Sequence, residues 1–224
     1  MIYIENKKRK IENIQKQHPN AVILDLTSSS PKRYSQILSP FFPHGNIPVP
    51  FTPGMFATCV EAVWQGLKVF EGQDIDLNTF KNDTMKGLKR TVRKFGKPLG
   101  HRKGVYGTEL LDYFKARMLI YLPTYKWVLD NVDEVHKVVA KIAEKSRQSD
   151  LVFLDYNTND DFRDISSPLS HAGLVKLYIE GKYPTENDNY RPLTEEEVKA
   201  KKAAKKSAKS QKNTNQLNIF NDDK

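Results

Sequence analysis

Cysteine is almost missing from this chain: Cys59 is the only one in 224 residues. That excludes an internal disulfide and a thiolate metal cluster, and it fits a reducing, cytoplasmic setting. Long apolar runs are missing too. No stretch approaches the roughly 18 residues a membrane helix needs, and the N-terminus lacks the apolar core of a secretory signal. No internal repeat is found. Acid is scarce in one place, since seven lysines and no acid lie between Lys199 and Lys212. Taking these lysines and the net −1 of Asp222, Asp223 and Lys224 from the formal charge of +9 leaves +3 for residues 1–198. The basic character therefore belongs mostly to a tail. Such a run attracts nucleic acid or another polyanion without sequence preference; the alternative is a solubilising linker.

What remains can bury a sizeable core, being 38% hydrophobic and 28% charged. The expected architecture is a helix-dominated α+β domain over residues 1–192 with a few short strands. A Lys-rich disordered linker over 193–214 and a short apolar peptide at 215–221 follow.

The stretch CVEAVWQGLKVF, Cys59 to Phe70, reads as one amphipathic helix. At about 100° per residue, Val60, Val63, Trp64, Leu67 and Phe70 share an apolar stripe. Glu61, Gln65 and Lys68 share a polar stripe, with Glu61 and Lys68 roughly 10 Å apart along the axis. That is too far for a salt bridge and suits two groups gripping opposite ends of a sugar-sized ligand. The plainer alternative is a solvated polar face.

Residues 4–17 read as a polar N-terminal helix ended by the turn His18-Pro19-Asn20, and AVILDL (21–26) as a short buried strand. The stretch 38–54 holds five prolines and two glycines. It is an irregular loop whose apolar side chains should pack over the core and wall a pocket. Helical patterning over 74–95, with Asp76 or Asn78 as N-cap, leads into the basic segment 86–104. Gly100 to Gly104 reads as a tight basic loop suited to phosphate. A helix opened by Thr108 should stop at Pro123, and a second should run from Thr124 to Arg147. LVFLDY (151–156) reads as a buried strand leading into the acidic turn 157–164, and a last helix spans 169–181 with Gly181 as its stop. His171 on that helix reads as structural.

Ser39, Phe41-Phe42-Pro43 and then Val60-Glu61, Gln65 and Lys68 resemble the opening of the NADAR family of N-glycosidases, linked to NAD and ADP-ribose. Over roughly residues 34–180, the basic segment, the strand LVFLDY with its acids and the closing helix are similar to the same parts of that family. Two positions depart from its pattern: Ala62 stands where a histidine is usual, and no tryptophan follows Asp160-Asp161. The resemblance implies cleavage of an N-glycosidic bond in an ADP-ribosylated base or a related ribosylated nucleotide, without a metal or other cofactor. It makes Lys68 the nucleophile that forms a Schiff base and Glu61 its acid/base partner. Gln65, Trp64 and Phe42 would contact the substrate. Arg102 and Lys103 would bind phosphate, and Asp155, Asp160 or Asp161 would supply a second carboxylate. The alternative is a non-catalytic adaptor that binds ADP-ribose or DNA.

Near the C-terminus, Gln216-Leu217-Asn218-Ile219-Phe220 resembles the bacterial sliding-clamp-binding peptide. Gln216, Leu217, Ile219 and Phe220 would fill a preformed groove at the end of a leash. That points to DNA as a partner, with the tail lysines adding salt-dependent contact.

Overall fold

The computed structural model describes residues 1–185, 190–204 and 207. The peptide Gln216 to Phe220 and most of the Lys-rich tail lie outside these residues. The chain opens with β1 (Ile2–Asn6), α1 (Ile11–Gln17), β2 (Val22–Asp25) and α2 (Arg33–Leu38). A short hairpin of β3 (Ile47–Pro48) and β4 (Phe56–Ala57) precedes α3 (Val60–Gly66) and β5 (Lys68–Phe70). After α4 (Leu77–Phe80) and α5 (Val92–Phe95) come β6 (Pro98–Arg102), β7 (Leu110–Leu111) and α6 (Tyr113–Ala116). A π turn (Arg117–Tyr121) leads into α7 (Leu122–Asn131) and α8 (Asp133–Gln148), then β8 (Leu151–Asp155) and α9 (His171–Ile179). This is a single α+β domain.

Its main sheet has the order β1-β8-β2, with both pairings parallel. The all-buried run LVFLD is central and covered on both faces, which is why it shows no polar alternation. Leu151 and Phe153 join the large core, whereas Val152 and Leu154 pack with Ile14 of α1 on the other side. Strands β5, β6 and β7 form a separate antiparallel sheet.

Several expected elements differ. Residues 4–17 are a strand followed by a short helix, because Ile2 to Asn6 pair with Leu151 to Asp155. Ile2 and Ile4 face the large core while Tyr3 faces the smaller one, the period of a strand. The helix expected over 59–70 ends at Gly66, where Phe80 occupies the space of any larger residue: a Cβ there would meet its ring at 2.2 Å. The Asp76 N–H bonds to the Gly66 carbonyl at 2.8 Å, and Lys68 begins a strand paired with His101.

Of the helical patterning over 74–95, two short helices form, the first capped by Asp76. Pro123 does not stop its helix. The Leu122 N–H reaches back to the Arg117 carbonyl, a π turn, and the proline follows within the first turn of α7, where its missing N–H costs little. The run Thr124–Arg147 is broken at Val132, whose backbone is extended. Gly100 to Arg102 lie in strand β6 and form no loop.

Residues 195–204, expected within a disordered linker, are helical. Thr194 and Glu197 cap the start reciprocally: the Glu197 N–H donates to Thr194 Oγ1 and the Thr194 N–H to Glu197 Oε2. Val198 is buried, and Lys201 pairs with Asp161 and Asp164. Among the described residues no helix is long and apolar enough to cross a membrane.

Candidate functional site

A cavity of about 400 Å³ opens at the carboxyl ends of β8 and β2, where parallel sheets commonly hold ligands. Glu61, Trp64, Gln65 and Lys68 form one wall; Asp155, Tyr156 and His171 form the opposite one. Pro40, Phe41 and Lys89 stand beside the first wall, and Tyr113, Arg117 and Tyr121 are also in the lining.

The first wall is a hydrogen-bonded row. Lys68 Nζ donates to Gln65 Oε1 at 2.9 Å, and Gln65 Nε2 donates to Glu61 Oε1 at 2.6 Å. The Arg90 N–H also meets Gln65 Oε1, at 3.1 Å. Two donors at one atom leave a single orientation for the amide: oxygen toward Lys68, nitrogen toward the carboxylate. Because α3 ends at Gly66, Lys68 folds back instead of continuing along an axis, and Gln65 bridges the separation expected on a straight helix. Arg90 fixes this turn from behind, donating to the Lys68 carbonyl at 2.5 Å and the Asp74 carbonyl at 2.8 Å.

Burial perturbs both ends of the row. Desolvation lowers the Lys68 ammonium below the ordinary lysine range; Glu61 opposes this, and Arg90 and Lys89 add to it. Desolvation raises the buried Glu61 carboxyl, with Gln65, Lys68 and Lys89 opposing. The wall therefore favours an amine closer to neutral beside a carboxyl closer to protonated than in water.

Trp64 stacks on His101 at 3.8 Å between centroids, and Lys68 Nζ lies 5.9 Å from the Trp64 ring. His101 is buried with neither ring nitrogen hydrogen-bonded, and burial plus Lys68 push its imidazole down to about 3. It backs the tryptophan as a neutral ring. Cys59 caps α3 by accepting from the Ala62 N–H, and burial pushes its thiol up to about 11. It is a structural, unreactive residue.

On the opposite wall, Asp155 is held rigidly. Its Oδ2 accepts from Ser170 Oγ at 2.7 Å and lies 3.3 Å from His171 Nδ1, while Oδ1 accepts from the Tyr156 N–H. His171 Nε2 donates to the Leu26 carbonyl at 2.6 Å, which also ties α9 to the end of β2. The buried Arg117 guanidinium donates to the carbonyls of Phe162, Asp164 and Ser167, so it shapes the acidic turn from inside.

The structure thus brings Glu61, Trp64, Gln65, Lys68 and Asp155 to one cavity. The other residues expected at the site are not in its lining. Phe42 packs on His44 and under Arg33, and its neighbour Phe41 faces the cavity instead. Arg102 is spent on Asp74 and Lys103 on Glu109. Asp160 pairs with Lys176, and Asp161 with Lys201 and Arg163. Among the lining residues that sequence reasoning missed are Lys89, Tyr113, Arg117 and Tyr121, of which only Lys89 carried a signal, its place in the basic segment; His171, read as structural, lines the cavity as well. Among the described residues no group of three or more His, Cys, Asp or Glu could hold a metal ion.

The model of a family of unknown function, DUF6939, matches residues 6–175. The chain belongs to that family. The DUF6939 match spans every residue of the cavity lining, from Ser28 to His171. No curated protein matches the chain.

Proposed function

We propose that the chain is an N-glycosidase that acts on an ADP-ribosylated base or a related ribosylated nucleotide through a Lys68 Schiff base. The observation that carries this reading is the Glu61–Gln65–Lys68 row on the wall of a nucleotide-sized cavity. Desolvation at both ends of the row supports the same roles.

In the first step the Lys68 Nζ lone pair attacks the anomeric carbon. The bond to the base breaks, its electron pair stays on the base nitrogen, and that nitrogen takes the proton of the Glu61 carboxyl group. Glu61, now a carboxylate, accepts the surplus proton from Nζ. The ribose ring then opens: the bond to the ring oxygen breaks, that oxygen takes a proton, and Nζ forms a double bond to carbon. Water adds to this iminium, the carbon–Nζ bond breaks, and the reducing sugar and free amine are released. The net change is addition of one water across the glycosidic bond, with no oxidant or reductant. Gln65 keeps Lys68 and Glu61 in register, Asp155 supplies a fixed acceptor for ribose hydroxyls, and Trp64 and Phe41 give the base and sugar apolar walls. The peptide Gln216 to Phe220 would tether the enzyme to a sliding clamp and so to DNA.

Borohydride trapping tests the reading, with ADP-ribose and an ADP-ribosylated oligonucleotide as probes and peptide mass spectrometry as readout. The expected result is a reduced adduct on the Lys68 peptide, with turnover lost in a folded Lys68→Ala variant. Turnover that survives Lys68→Ala removes the nucleophile role. Binding of ADP-ribose with neither adduct nor turnover makes the chain an adaptor.

A further inference from the structure

The strongest unassigned feature is a row of cations, one of which lines the cavity. Between residues 86 and 97 lie Lys86, Lys89, Arg93, Lys94 and Lys97, all exposed, with no acid among them. Among the described residues none of the five is in an ion pair, in contrast to Arg102 and Lys103 just downstream. Five cations in succession with no ion-pair partner leave a local positive field.

The row is also held in place. Leu88 and Arg90 are buried, and the Arg90 guanidinium sits over Phe70 and Phe95, whose rings lie 5.3 Å apart. Inward anchors thus alternate with outward cations, and Val92 and Leu99 add exposed apolar surface beside them. One member, Lys89, belongs to the cavity lining itself, with Nζ 5.4 Å from the Phe41 ring. Arg93, Lys94 and Lys97 follow Lys89 along the chain within eight residues, all exposed, so a ligand chain that leaves the cavity past Lys89 has further cations close at hand.

We propose that the surface over residues 86–97 binds the phosphodiester backbone of a single-stranded nucleic acid, one unit of which occupies the cavity. The cavity, at about 400 Å³, has room for about one nucleotide, so cations outside it meet the ligand only where the ligand is a chain. This inference rests on the proposed glycosidase reading only for what happens inside the cavity; the strand contact is separate from catalysis and is measured without it.

The experiment uses the full chain with Lys68→Ala, so that nothing turns over, and titrates labelled single-stranded oligothymidylate and oligouridylate by fluorescence anisotropy. A second protein adds Arg93→Glu, Lys94→Glu and Lys97→Glu, three exposed positions outside the cavity lining. With a slope of about −0.7 per phosphate contact in log affinity against log salt, losing three contacts makes the dependence shallower by about 2. At about 0.1 M salt it weakens binding by about 100-fold. Titration with ADP-ribose should be unchanged by the three substitutions. A preference between the two oligonucleotides says whether the strand is DNA or RNA. Unchanged oligonucleotide affinity and salt slope overturn the proposal, and so does an equal loss for ADP-ribose, which would make the row a site for a free nucleotide. Failure of the glycosidase reading shows instead as an absent trapped adduct, whatever the anisotropy gives.

Discussion

Replacing Glu61 by Gln separates stability from function at the centre of the site. The new side chain keeps an oxygen to accept from Gln65 Nε2, at present a 2.6 Å bond, so the row stays intact. What disappears is a buried carboxyl whose charged form is disfavoured by desolvation. Because its folded pKa is raised, the native state holds a proton longer than the unfolded chain as pH rises. Stability is therefore lost as pH climbs from the ordinary Glu value through the raised one, and the penalty is complete above it. Glu61→Gln should remove that penalty near pH 8 and make no difference near pH 4.

A single stabilising substitution commonly gains about 1 kcal/mol, which is about 2–4 °C in Tm for a chain of this size. Turnover should fall by about 100- to 10,000-fold, the usual contribution of a general acid. Thermal melts of both proteins across that pH range, with product release in parallel, make the comparison. A gain of equal size at pH 4 and pH 8 would show that the Glu61 charge is not the cause. Turnover at the wild-type rate would remove Glu61 from the chemistry.

Gly66→Ala should destabilise the fold by about 1–3 kcal/mol, because its Cβ collides with the ring of the buried Phe80. Chemical denaturation measures the loss, and a midpoint unchanged from wild type would mean that Phe80 swings away freely. A labelled 213–224 peptide should bind a bacterial sliding-clamp ring saturably, and Phe220→Ala should abolish that binding; a flat titration removes the tether.

The parts legible in the sequence are those fixed by neighbours along the chain. The unbroken apolar run of β8 announces a strand covered on both faces, and Gly181 stands where α9 must end, with a left-handed φ of 68°. The polar stripe of Glu61, Gln65 and Lys68 was legible as a set, although the element carrying it was not. What sequence could not supply depends on distant partners. The strand at residues 2–6 exists because its ladder lies some 150 positions away. The end of α3 is imposed by Phe80, and no residue near Gly66 signals it beyond the glycine itself. The basic loop expected around Gly100 failed for the same reason: Gly100 and His101 pair with a strand some 30 positions earlier, and Arg102 looks available until Asp74 arrives beside it.

The early end of α3 also shapes the chemistry. On an unbroken helix Lys68 would stand two turns beyond Glu61, with nothing to prevent its long side chain from reaching solvent. Turning the chain at Gly66 puts Lys68 at the first position of β5, opposite His101, while Arg90 holds its carbonyl. Its ammonium then lies between Gln65 and the Trp64 ring, which also stacks on the neutral His101. Partial desolvation of the amine follows from that placement. A catalytic lysine needs both a fixed position and a share of its neutral form, and here one bend in the backbone supplies the two together. An ordinary solvated lysine on a helical polar face would have neither.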